Sequence, residues 1–282
     1  VYIPLAVLFS LLWASAFDAV KIVQRGLPPL FLMGFRFLVA GGVLLLLALA
    51  TRRAFPRSRQ GWAQLVLLGV LNYGLYLGIS SIALERVSGG LGAVLASTNP
   101  LMLAVVAPVL LAERLGRLRL AGMLIAFASV VVIMAGRAGA HDTPLGMGLI
   151  LAANVFLTAG TVLFKRWHPR ESLTVLNGVQ LLAGAAVLLA PSLLTEHLAG
   201  IRLTPDVVLA FAYLVLAVSL GAMSIWFFML RSGDAARASS YFFLNPVFGL
   251  FLGALLLSER LRLIDFAGAA GVAAGLYLVQ RG

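Results

Sequence analysis

The length of its apolar runs constrains this chain more than any other feature. Stretches of roughly twenty nonpolar residues recur from end to end, each closed by a turn or a cluster of charges. At about 1.5 Å of rise per residue, about 20 residues carry an α-helix across the hydrocarbon core of a bilayer. The runs lack the alternation of a membrane β-barrel. They predict an all-α, polytopic membrane protein of ten transmembrane helices, at 3–22, 29–50, 62–83, 89–111, 118–136, 145–164, 173–194, 206–230, 235–257 and 263–280. Composition agrees. Of 282 residues, 62% are apolar and 11% charged, whereas a soluble domain has about half and a quarter. A soluble enzyme, a disordered chain and a separate soluble domain are excluded.

Turn chemistry punctuates the spans. Pro28-Pro29 opens the second, where a fixed backbone angle and a missing donor do no harm. Thr143-Pro144 and Thr204-Pro205 read as N-caps followed by a first-turn proline, and Ser172 as a further cap. The first run is as long as the others and has no cleavage-site pattern, so it reads as a crossing rather than a signal peptide. The net charge of +11 lies mostly in loops beside apolar runs, where it reports orientation rather than a nucleic-acid partner. Thirteen Lys and Arg flank the side shared by both termini and seven the other, which predicts cytoplasmic termini.

The chain has no cysteine, which excludes disulfides and sulfur-ligated metals. It has no phosphate-binding loop, so it does not pump with ATP by itself. His141, His168 and His197 all fall in predicted loops, and no nucleophile–base pair or metal-ligand cluster emerges. No cofactor and no enzymatic activity are expected.

Displacing the chain against itself by 146 residues aligns Asn99-Pro100 with Asn245-Pro246, Leu110-Leu111 with Leu256-Leu257, and Glu113-Arg114-Leu115 with Glu259-Arg260-Leu261. Ala121-Gly122 falls on Ala267-Gly268, and nine of 24 positions from residue 99 match. Ser88 and Asp234, related by the same offset, both stand where an N-cap belongs. Lys21 and Lys165, the only lysines, end the first and sixth spans. The chain thus divides into five-helix repeats at 1–136 and 145–282, joined by an external linker at 137–144. Five is odd, so the second repeat enters the membrane inverted. Inverted repeats offer two nearly symmetric packings, the basis of alternating access. The plain alternative is a duplication kept for stable packing.

In its Leu12-Trp13-Ala14-Ser15-Ala16-Phe17 segment, Leu27-Pro28-Pro29, Phe35-Arg36-Phe37-Leu38, Asn99-Pro100 and Glu113-Arg114-Leu115, the chain resembles the EamA-type ten-helix carriers of the drug/metabolite transporter superfamily. The order and spacing of these segments carry the resemblance, which covers the whole chain. It implies ten helices around a central cavity formed mainly by helices 1, 3, 4, 6, 8 and 9, with helices 5 and 10 as scaffold or dimer contact. It also implies a small cargo, such as amino acids, related metabolites, cations, nucleotide sugars or sugar phosphates. One branch it resembles, the YddG-type proteins, exports aromatic amino acids.

Asp18 and Arg36 are the clearest intramembrane charges, at comparable depth on the first two spans. Either alone at a helix centre costs about 2.5–3.5 kcal/mol on an insertion scale, so an Asp18–Arg36 pair is expected. It reads as a gate, a substrate anchor, a proton site or a structural ion pair. Asn99-Pro100 and Asn245-Pro246 are expected mid-span, where proline frees a carbonyl for substrate or simply kinks the helix. Trp13, Asn72, Tyr73 and Tyr76 cluster near mid-membrane, with Trp226 and Tyr241 as counterparts in the second half. Rings with a polar edge suit a cargo with an apolar body and a charged end. Glu113 and Glu259 are expected to stabilise the N-termini of the fifth and tenth helices. Gly249-x-x-x-Gly253 and Gly271-x-x-x-Gly275 predict close helix packing, within the chain or in a dimer.

These features predict a carrier of small zwitterionic metabolites, amino acids including aromatic ones, acting as an exporter in a bacterial inner membrane. Its partners are the substrate and the lipid bilayer, with no nucleic acid, and its state is monomer or homodimer. A carrier of another small metabolite or drug, and a receptor or structural membrane protein, are the alternatives.

Overall fold

A computed structural model describes residues 2–113, 115–134, 142–257 and 261–282. Glu259, Arg114, His141 and residues 137–141 of the linker lie outside them. Every regular element among the described residues is helical, and nine helices there are long and apolar enough to cross a membrane. In chain order the helices are α1 (Tyr2–Gln24), α2 (Pro29–Ala50), α3 (Arg59–Ala83), α4 (Gly89–Ala96), α5 (Asn99–Leu110) and α6 (Arg117–Met134). They continue as α7 (Pro144–Trp167), α8 (Leu173–Thr195), α9 (Pro205–Ser232), α10 (Ala235–Ser239), α11 (Leu244–Leu257) and α12 (Leu263–Arg281).

Two expected spans are broken. The fourth turns at Ser97 and Thr98 between α4 and α5, and the ninth passes through a 3-10 stretch, Ser240–Phe243, between α10 and α11. Both breaks precede the Asn-Pro pairs. Pro100 therefore sits in the first turn of a new helix, where its missing N–H is harmless, rather than kinking the middle of an old one. Pro246 is likewise the third residue of α11.

Caps start the helices where short polar side chains allow it. Ser58, Ser88, Thr143 and Ser172 each accept the N–H three residues on. Thr204 makes no such bond, and Asp234 instead pairs with Arg119 at 3.1 Å. The N-terminus of α2 is held from afar, by Glu196 at the end of α8, whose carboxylate accepts from Leu30 N and Phe31 N at 2.8 Å each. Glu113 does the same for α10, accepting from Ala235 N at 2.9 Å and Ala236 N at 3.4 Å. That corrects the expectation for Glu113: it serves a helix 122 residues away, not the next one in the chain.

Long side-by-side contacts run between α2 and α8 and between α6 and α12. The second pair rests on small residues. A Cβ at Gly122 would come within 2.5 Å of Gly275 O, and one at Gly275 equally close to Gly122 O, so neither position has room for a side chain. Gly271 and Gly275 are thus spent within the chain. A Cβ at Gly249 would meet nothing within 4 Å among the described residues, so no such packing is seen there. Leucines and valines face outward all round: Leu46, Val109, Leu194 and Leu263 are 68–87% exposed, a surface that suits lipid and not water. Both chain ends lie together, for Arg237 stands over the Tyr2 ring (5.5 Å) and donates to Gln280 Oε1 at 2.5 Å.

Candidate functional site

A half-open cavity of about 40 Å³ lies between α1, α2, α3, α4, α7 and α9. Trp13, Phe17, Met33, Arg36 and Tyr76 are among its walls. A smaller chamber of about 10 Å³ adjoins it, with Phe9, Asn72, Met223, Trp226 and Phe242 among its lining. Trp13 and Tyr76 line both. Their rings are nearly parallel, 7° apart with centroids 6.5 Å apart, so this pair is the septum between the chambers. Below it the rings interlock. Phe9 stacks on Trp13 (5.5 Å) and on Trp226 (5.4 Å), and Phe242 meets all three edge-on.

The helices that shape these walls are not regular. α3 widens into π-helical turns at Val70–Leu77 and α9 at Leu214–Ala222. An extra residue per turn redirects side chains, and such turns are frequent at functional sites. Here they carry Asn72, Tyr73, Tyr76, Val218 and Ser219.

Arg36 is 2% exposed. Its Nε donates to Ser219 Oγ at 2.8 Å, one terminal nitrogen approaches Met33 Sδ at 3.6 Å, and the Phe37 ring lies 5.3 Å from its Cζ. The expected Asp18–Arg36 pair is not among the described ion pairs. Asp18 is exposed and does not line either chamber, because equal depth on two helices says nothing about which way each is rotated.

A polar belt joins four helices behind the cavity. Asn72 Nδ2 donates to Gln180 Oε1 at 3.0 Å, and Tyr73 OH to Asn177 Oδ1. Asn177 Nδ2 in turn donates to Ser219 O at 2.9 Å, which brings the belt to Arg36. Tyr73 is therefore a fully buried brace rather than a cavity wall, and its ring stands edge-on to Phe37 at 5.0 Å. Tyr241 is also away from both chambers, against the Tyr2 ring at 6.2 Å. Asn99 donates to Thr158 Oγ1 at 2.9 Å, while buried Asn245 has no hydrogen-bond partner at either polar atom among the described residues. Pro100 and Pro246 are buried beside them.

Of the twelve residues singled out from the sequence, Trp13, Arg36, Asn72, Tyr76 and Trp226 line a chamber. Sequence reasoning missed Asn154, Asn177 and Gln180, although amides in the middle of apolar spans are themselves a signal. Ser219, Phe9 and Phe242 had none.

The family described as "EamA-like transporter family" matches residues 1–135 and again residues 144–281. The uncharacterized transporter YvbV of Bacillus subtilis (strain 168) is 27% identical over 271 residues, spanning 96% of this chain and 88% of that protein. The uncharacterized inner membrane transporter YedA of Escherichia coli (strain K12) is 29% identical over 282 residues, spanning 98% and 90%. A solved structure described as "Crystal structure of protein" superposes with a TM-score of 0.82 at 20% identity, covering 98% of this chain and 96% of its own, and so shares the fold.

Proposed function

Because this chain belongs to the EamA-like transporter family, we propose that it is a secondary carrier of small zwitterionic metabolites, amino acids including aromatic ones, and exports them by alternating access. It is an integral membrane protein and a transporter by family. The observation that carries the cargo is a buried guanidinium facing an aromatic-walled chamber: Arg36 receives the carboxylate, and the rings of Trp13, Phe17 and Tyr76 receive the apolar body. Those rings are also the support for kinship with the YddG-type aromatic exporters.

Alternating access rests on ten crossings arranged as two inverted repeats, with 235–257 as the crossing whose helix is broken. Three observations support it. The family matches the chain twice, once in each half. Lys21 Nζ donates to Val87 O at 2.9 Å and Lys165 Nζ to Gly233 O at 2.7 Å, and Val87 and Gly233 are themselves related by the 146-residue offset. π-helical turns recur at corresponding places in α3 and α9. The positive-inside bias of the loops supports cytoplasmic termini, and the likeness to the inner membrane transporter YedA supports a bacterial inner membrane.

Counterflow of radiolabelled amino acids in proteoliposomes tests the cargo. Exchange of phenylalanine, tyrosine or tryptophan is expected. Absence of flux for every amino acid, with robust flux of another class of solute, overturns the reading. Net efflux from preloaded cells, compared with cells lacking the protein, tests the direction.

A further inference from the structure

We infer that the cavity reads the carboxylate of its cargo and leaves the amine unread, so that its substrate class includes arylalkanoic acids with no amino group, bound more tightly than the matching amino acids. The inference rests on the carrier reading above, in which Arg36 is the carboxylate anchor.

The guanidinium has five N–H donors in a planar fork. One is used on Ser219 Oγ, a second is directed at Met33 Sδ, a weak acceptor, and no carboxylate contacts it among the described residues. The remaining donors have the geometry that takes a carboxylate through two parallel bonds. Among the described lining residues no oppositely charged side chain awaits an ammonium group, and the only hydroxyls belong to Ser80, Ser81 and Tyr76. Ser81 Oγ is already engaged, accepting from Gln24 and donating to Pro29 O. One face of Trp13 is covered by Phe9, and Tyr76 lies parallel to Trp13, so much of the π-surface of these two rings is turned to other rings and Phe17 is the remaining aromatic wall.

Charge balance gives the sign. A buried cation is stabilised by a guest that neutralises it. A monocarboxylate does so completely. A zwitterion brings a second cation into a chamber with no anion to receive it, and that ammonium loses its hydration without replacement. Removing the amine from the guest therefore strengthens binding, whereas removing the carboxylate abolishes it.

The test is calorimetric titration of the purified protein in detergent at pH 7.5 with four probes: L-phenylalanine, 3-phenylpropionate, 2-phenylethylamine and 3-phenylpropanamide. Binding of 3-phenylpropionate about tenfold tighter than L-phenylalanine is expected, with no binding of the amine or the amide. Arg36→Gln is expected to lose 3-phenylpropionate binding, and Arg36→Lys to keep it in weakened form. Weaker binding of 3-phenylpropionate than of L-phenylalanine, or binding of 2-phenylethylamine at comparable strength, overturns the inference. If Arg36→Gln does not fold, the four probes on the unaltered protein decide alone. Tight 3-phenylpropionate binding without amino-acid counterflow upholds this inference while overturning the amino-acid cargo. Counterflow of phenylalanine without 3-phenylpropionate binding does the reverse.

Discussion

The two broken segments, 89–110 and 235–257, share the Asn-Pro pair and differ in how their backbone is satisfied. In the first, Asn154 on α7 donates to Leu95 O at 2.7 Å, to Thr98 Oγ1 at 2.9 Å and, more distantly, to Ala96 O, a carbonyl at the end of α4. Asn99 is held by Thr158. In the second, the corresponding carbonyl, Phe242 O, accepts from Ser97 Oγ at 3.0 Å, so one break is tied to the other. Tyr241 O accepts from Ser10 Oγ at 2.9 Å. Asn245, however, is buried with neither polar atom bonded. An amide left so costs about 1–3 kcal/mol. Asn99 Oδ1 and Asn154 Oδ1 are also unbonded among the described residues, so neither break is saturated. Each of those amides still donates through its nitrogen, whereas Asn245 bonds at neither atom, which leaves the second break the less tied of the two.

The largest effect expected from this difference falls on Asn154. Asn154→Ala removes the bonds to Leu95 O and Thr98 Oγ1 from the first break and is expected to cost roughly 2 kcal/mol, read as a lowered thermal unfolding midpoint in detergent. Ser97→Ala comes next, at up to about 1 kcal/mol, because it removes the side-chain bond to Phe242 O and unties the two breaks. An unchanged midpoint for Ser97→Ala would show that another group satisfies Phe242 O.

The two asparagines sharpen the comparison directly. Asn99→Ala is expected to lower stability by about 1 kcal/mol, while Asn245→Ala leaves it unchanged or raises it, since no bond is lost there. If Asn245→Ala is the more damaging of the two, the second break is not the loose one. The smallest shift concerns the prolines. Pro100→Ala and Pro246→Ala are expected to alter transport more than folding, and to move the balance between inward- and outward-open states in opposite directions. Single cysteines placed on either side of the Trp13–Tyr76 septum can report this without background, since the chain has none. Equal accessibility changes from both substitutions contradict the inverted symmetry.

The amino-acid sequence by itself determined the class of structure and most element boundaries. Apolar run length is a local property, and the hydrogen-bonding demands of a bilayer leave few other ways to satisfy a long apolar stretch. The expected 29–50 is α2, and 173–194 differs from α8 by one residue. Thr143 and Ser172 marked where two helices begin, whereas the Asn-Pro pairs, expected mid-span, stand at the starts of new helices. Partner choice was decided only by the tertiary structure. Helical rise gave Asp18 and Arg36 the same depth, but packing rotated Arg36 toward Ser219, 183 residues away, and Asp18 outward. Glu113 had a helix N-terminus close by in the chain and serves one reached through the fold. Spacing along one helix fixes height and relative azimuth within that helix, whereas the azimuth between helices is set by where small residues let backbones meet, and that is a property of pairs of helices rather than of either alone.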